Sequence, residues 1–215
     1  METKLMAEQT AKYLLQVKAV KLNNEHPFTW ASGRKSPIYC DNRVTLSYPE
    51  IRSFIRDQYV AVIRQHFADA DVVAGVATGG IAQGALVAQE LGKPFVYVRS
   101  GAKDHGLANQ IEGEIKEGQS VVVIEDLVST GKSSLIAVDA LREKGCVVKG
   151  MVAIFTYGLA VAHTNFENAK VELHTLTNYD ELIRVAVSEK YVSDSDQESL
   201  AMWRQNPEKW SDDRM

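Results

Sequence analysis

The sequence predicts an α/β domain built on a mainly parallel sheet flanked by helices, and three observations carry that prediction. Short β-branched runs recur at 72–76, 95–98, 121–125, 147–155 and 171–176. Stretches of helical period lie between most of them, at 81–91, 132–144, 159–168 and 179–187. The runs are also largely apolar rather than alternating, which is the pattern of strands covered on both faces. A length of 215 residues fits one such domain, or one domain with a small appendage, and 45% hydrophobic residues supply its core.

Taken in order, Ala7, Ala11, Leu14, Leu15 and Leu22 recur at helical spacing and predict an amphipathic first helix. Residues 28–45 are aromatic and punctuated by Gly and Pro, so they read as a strand or hairpin. Helical period returns at 49–67 and leads into the alternating α/β run. After Ser193 a short helix is expected to about Gln205, beyond which the chain should fray. No repeat, low-complexity tract or linker divides the body.

Charge narrows the function. There are 24 Lys+Arg against 28 Asp+Glu, a formal net charge of -4. Residues 189–215 contain seven acids and four bases, so this tail carries -3 and the body about -1. Such a chain has no basic field to hold duplex nucleic acid, so none is expected as a partner. Two cysteines are too few for a disulfide framework and suit a reducing compartment. The N-terminus has no apolar signal region, and the longest uncharged stretch, 150–166, is too short and too polar for a membrane helix. The expectation is a cytoplasmic protein with no membrane partner.

In open sheets of this kind, ligands sit beyond the carboxyl ends of the strands. There the strongest signal stands: Val121-Val122-Val123-Ile124, then Glu125-Asp126, then Leu127-Val128-Ser129-Thr130-Gly131-Lys132-Ser133. A buried strand is read as ending in two acids, and a hydroxyl-rich Gly turn opens a helix. Consecutive amides and hydroxyls at a helix N-terminus make an anion site. Adjacent carboxylates suit the hydroxyls of a sugar or a hydrated metal. A phosphate cup beside a hydroxyl clamp describes a holder for ribose 5-phosphate. A P-loop would need glycine at position 126, where Asp stands. A plain N-cap by Ser129 or Thr130 accounts for the hydroxyls but not for the acids.

The 121–133 segment resembles the phosphoribosyl-diphosphate signature of the type I phosphoribosyltransferases. Two further stretches are similar to those of the orotate-using members. One is Phe28-Thr29-Trp30-Ala31-Ser32-Gly33-Arg34-Lys35-Ser36-Pro37, like their N-terminal signature. The other is Tyr97-Val98-Arg99-Ser100-Gly101-Ala102-Lys103-Asp104-His105-Gly106, like their mobile catalytic loop. With the turn Ala77-Thr78-Gly79-Gly80-Ile81, the likeness runs from residue 28 to residue 133 in the right order.

The resemblance implies the type I phosphoribosyltransferase fold: an N-terminal helix and small base-side hood (1–45), an α/β core binding phosphoribosyl diphosphate (46–188) and an acidic tail (189–215). It implies transfer of the 5-phosphoribosyl group from phosphoribosyl diphosphate to orotate, helped by Mg²⁺ bound mainly through the substrate's diphosphate rather than by a metal site of the protein. The catalytic set is then Lys103, Glu125 and Asp126, the two acids clamping the ribose. The run Leu127, Val128, Ser129, Thr130, Gly131, Lys132 and Ser133 cups the 5-phosphate. Thr78, Gly79, Arg99, Lys103 and His105 take the diphosphate, and Ser129, Arg34 and Lys35 meet orotate. In the family the loop groups reach the neighbouring subunit's site, which implies a homodimer with shared active sites. A sugar-diphosphate-sensing DNA-binding regulator would want an added basic module, and a purine-using member gives no reason for the 28–37 stretch.

Three positions depart from the pattern. Ala31, Ser100 and the pair Thr156-Tyr157 each stand where some members carry a basic residue. Arg34, Lys35 or amides near Ser32 and Gly33 are left to hold orotate's carboxylate. Tyr39 either walls the base pocket or belongs to the core, and Trp203 and Trp210 serve packing or an interface. His26, His66, His163 and His174 have no ligand partners at metal spacing along the chain.

Overall fold

The computed structural model describes residues 2–30, 32–99 and 110–214. Helix α1 (Glu2–Gln16) leads into β1 (Val20–Leu22), β2 (Phe28–Thr29), β3 (Lys35–Ser36) and β4 (Ile38–Cys40), followed by a 3₁₀ helix over Asn42–Ser47. The core then runs α2 (Pro49–His66), β5 (Val72–Val76), α3 (Gly79–Leu91), β6 (Phe95–Val98), β7 (Ile111–Glu112), β8 (Ser120–Val128), α4 (Lys132–Glu143), β9 (Val147–Thr156), α5 (Ala160–Asn168), β10 (Leu173–Asn178) and α6 (Tyr179–Ser188). Two further helices close the chain, α7 (Asp194–Gln205) and α8 (Pro207–Asp212).

Six strands form the central sheet in the order β10-β9-β8-β5-β6-β7. Every pair is parallel except the short β7, which runs antiparallel beside β6. One apolar cluster joins the sheet to α1, α2, α3 and α6, and a second joins the other face to α4 and α5. The buried Val-rich strands β5 and β8 explain why the sequence shows no alternation there. Among the described residues no helix is long and apolar enough to cross a membrane.

The N-terminal aromatic stretch forms two small antiparallel ladders, β1 with β4 and β2 with β3. Between β2 and β3, Gly33 adopts φ +83° and its amide donates to the Trp30 carbonyl. A side chain rarely accepts that backbone, so the Ser-Gly-Arg turn needs its glycine. From Asn42 the chain is helical rather than extended.

The tail corrects the expectation of fraying. Pro207 opens α8, the Asn206 side chain accepts from the Lys209 amide, and Trp210 is buried. Ser211 Oγ accepts from the Lys35 amide at 2.9 Å, so the last helix docks on the hairpin rather than dangling. The sequence pattern missed this because the buried face of α8 is supplied by residues over 170 positions away.

Candidate functional site

Strand β8 runs to Val128, past the acids that were read as its end, because β9 continues beside it and pairs Glu125 with Ala153 and Val128 with Thr156. Inside a strand, neighbouring side chains point to opposite faces. The two carboxyls nevertheless stay within hydrogen-bonding reach of each other, and both line one cup. Glu125 is 5% exposed and turns toward α4, where Ser134 Oγ donates to it at 2.8 Å and the Asp126 amide at 2.9 Å. The Asp126 carboxyl lies against the turn that opens α3. A Cβ on Gly79 would lie 2.1 Å from the Asp126 carboxyl carbon, so only glycine admits that approach. Two donors hold the strand end: Asn42 Nδ2 gives to the Asp126 carbonyl at 2.6 Å, and the buried Tyr59 hydroxyl gives to the Glu125 carbonyl.

Burial, and then the charge of Asp126, push Glu125 from an ordinary 4.5 up to about 8. Between those values the folded protein keeps a proton that the unfolded chain has lost, so stability falls as pH rises through the window. Glu125→Gln, which imitates the protonated form, should flatten the curve of Tm against pH between about 5 and 8. Curves of equal slope for the two proteins would show that Glu125 titrates as an ordinary acid.

Beyond the strand, Gly131 takes φ +80° at the start of α4, and no side chain caps that helix. Its first amides are left for a ligand. Helix α5 braces the turn: Asn165 Nδ2 donates to the Thr130 carbonyl at 2.9 Å, and the Phe166 ring leaves no room for a Cβ on Gly131. The result is a cup of about 290 Å³ lined by Thr78, Gly79, Glu125, Asp126, Leu127, Ser129, Thr130, Gly131 and Ser133. The Ala77–Thr78 peptide at its wall is cis. Its polar side-chain donors are all oxygens, the set that suits a hard cation such as Mg²⁺. Val128 is buried outside its lining, and Lys132 lines the neighbouring cavity instead.

A second cavity of about 460 Å³ shares Ser129 and Thr130 with the cup and adds Trp30, Arg34, Lys35, Lys132, Arg204 and Glu208. The structure thus brings Arg34 and Lys35 to the rim of the cup. Arg34 pairs with Glu208 of α8 at 2.6 Å, and Lys35 Nζ donates to Thr29 Oγ1 at 2.9 Å. Tyr39 lies outside both linings, 38% exposed beside Phe28.

Arg204 escaped the sequence reading. Its Nη2 lies 3.1 Å from Asp180 and would stand 2.9 Å from a Cβ on Gly158. The tail thereby returns a cation to the end of β9, beside Thr156-Tyr157, where a basic residue is missing from the local sequence. Thr156 and Tyr157 serve the backbone instead: Thr156 Oγ1 and the Tyr157 amide both donate to the Val128 carbonyl, at 3.1 and 3.3 Å. The Tyr157 ring packs on Trp30 and Trp203. No local signal could announce Arg204, because it is 46 positions beyond Gly158.

Arg99 is not at the cup. It sits at the end of β6, its Nη1 3.4 Å from Glu112, while its amide donates to the Gln110 carbonyl at 2.9 Å. Lys103 and His105, with Ser100, lie outside the described residues, as does Ala31. The histidines need one correction. His66 and His174, read as isolated, come together with Glu172, since the fold joins the end of α2 to β10.

Residues 52–196 match the family model of the phosphoribosyl transferase domain. The chain is 56% identical over 207 residues to the orotate phosphoribosyltransferase of Porphyromonas gingivalis, covering 96% of this chain and 99% of that one. It is 58% identical over 203 residues to the orotate phosphoribosyltransferase of Listeria monocytogenes, covering 94% and 97%. Among solved structures it is similar to orotate phosphoribosyltransferase from Aeropyrum pernix. That similarity has a TM-score of 0.73 and 31% identity, over 85% of this chain and 99% of the other.

Proposed function

The chain belongs to the phosphoribosyltransferase family, and we infer that it transfers the 5-phosphoribosyl group from phosphoribosyl diphosphate to orotate, yielding orotidine 5'-monophosphate and diphosphate in pyrimidine biosynthesis. The observation that carries the reading is the cup itself: an uncapped helix start, four hydroxyls (Thr78, Ser129, Thr130, Ser133) and two carboxyls (Glu125, Asp126) around one cavity. Displacing diphosphate from the anomeric carbon builds oxocarbenium character on the ribose, as in glycoside chemistry. The protein must then hold the sugar rigidly and stabilise the leaving charge.

The amides and hydroxyls of residues 129–133 bind the 5-phosphate. Asp126 accepts from a ribose hydroxyl, its carboxylate backed by Gly79. Glu125, tied to Ser134 and hydrogen-bonded to Asp126, completes the ribose clamp with it. Asp126 and the oxygens lining the cup would hold the Mg²⁺ that comes mainly with the substrate's diphosphate, and the ion would supply positive charge to the leaving group. Lys103, His105 and Arg99 complete that stabilisation in a homodimer with shared active sites. Orotate is already anionic and needs no strong base.

The cavity between hairpin, turn and tail is the base pocket in this reading, with Ser129 at its junction with the cup. Arg34, Lys35, Lys132 and Arg204 are its cations, and Arg204 with Arg34 holds the orotate carboxylate. A charge-assisted bond is worth about 1.5–3 kcal/mol, so Arg204→Ala should raise the KM for orotate by about 10- to 100-fold. The KM for phosphoribosyl diphosphate should stay within about twofold, because Arg204 is outside the cup. Initial rates with each substrate varied in turn test this, and an unchanged orotate KM removes Arg204 from the pocket. The reaction itself is followed by orotate absorbance with phosphoribosyl diphosphate and Mg²⁺. Consumption of purines instead of orotate would overturn the substrate assignment.

A further inference from the structure

At the end of the sheet opposite the cup, three ligating side chains meet. His66 is the last residue of α2, exposed and next to the turn into β5. Glu172 stands just before β10, its carbonyl accepting from the Met151 amide at 2.8 Å, and His174 continues the ladder opposite Val152. Two residues apart on extended chain, Glu172 and His174 share a face. Their side chains touch, His174 Nε2 lying 2.7 Å from Glu172 Oε1. The His66 and His174 rings stand 3.9 Å apart between centroids, and the edge of Phe67 supports His174 at 5.5 Å. One ligand atom from each of the three lies within 4.8 Å of the others.

We propose that His66, Glu172 and His174 form a binding site for a divalent transition ion of the zinc class. Two imidazoles and one carboxylate are a donor set that zinc takes with a fourth position left open. Here His66 and His174 also line a cavity of about 540 Å³ between α1, α2 and β10, which leaves room beside the two imidazoles. The carboxyl end of α2 carries partial negative charge, which favours a cation there. Softer nitrogen donors distinguish this site from the all-oxygen cup, so it selects zinc over magnesium. Because β10 is an edge strand, an ion here would clip that edge to α2. The effect expected is on stability, far from the reacting groups.

The test is zinc titration of the metal-free full-length protein, without Mg²⁺ or substrates, by competition with a chromophoric chelator and by thermal melting. One equivalent should bind, and Tm should rise by about 5–10 °C at 100-fold excess over Kd. His66→Gln and Glu172→Gln, both at exposed positions, should each weaken zinc binding by about 10-fold or more, with orotate turnover in Mg²⁺ unchanged. Absence of saturable zinc binding would overturn the proposal. So would wild-type zinc affinity in both variants, since the ion would then sit elsewhere.

Discussion

Replacing Trp203 by alanine is expected to cost about 3–5 kcal/mol of stability and to raise the KM for orotate. Trp203 is 1% exposed and is the meeting point of four elements. Its ring packs edge-on against Trp30 of the N-terminal hairpin at 5.8 Å and Tyr157 at the end of β9 at 5.6 Å, and tilted on Tyr179 of α6 at 5.4 Å. The indole cannot be deleted without a cavity that these rings, held by three separate elements, cannot all collapse to fill. Trp30 also lines the cavity that holds Arg34, and Trp203 precedes Arg204, so a loosened cluster displaces both cations. Urea unfolding reads the first effect and initial rates the second. A loss under about 1 kcal/mol would mean that the tail is an adornment rather than a support. Trp203→Phe, which keeps a ring in place, should recover much of both.

Lys103→Ala should lower kcat by about 10²–10³, the usual cost of losing one donor to developing charge, with Tm unaltered. The residue lies between Arg99 and Gln110, whose backbones are bonded to one another beside β6. Val98 accepts from the Ala77 amide at 2.8 Å, so this stem adjoins the Thr78-Gly79 wall of the cup. Mixed dimers separate action within one chain from action across two. Combining Lys103→Ala subunits with Asp126→Ala subunits should restore one intact site if Lys103 serves the partner. A mixture no more active than its parents would place both groups in one chain. Wild-type turnover in the single variant would take Lys103 out of the mechanism.

Much of this site was legible in the residues alone. The apolar run before Glu125 and the Gly-hydroxyl turn after it located the cup, because strand, turn and helix start are all local and contiguous. The fold class followed for the same reason, since period and burial repeat along the chain. The setting of Glu125 and Asp126 was not legible: only the continuation of β9 made the pair part of a strand, with Glu125 buried on Ser134 and Asp126 set against Gly79. Gly79 read as an anion-binding turn, whereas its contact with Asp126 is a second reason for glycine that requires two strand ends side by side.

The sequence by itself determined which ligand class this protein takes, since amides at a helix start, hydroxyls and carboxylates state their chemistry in order. The tertiary structure decided what surrounds that chemistry. It folded the acidic tail over the hairpin, brought Arg204 to the gap beside Tyr157, and drew His66 to Glu172 and His174 across more than 100 positions. The reason is physical. Backbone-driven features depend on neighbours within a few residues, whereas these contacts depend on which buried faces find one another in the packed molecule.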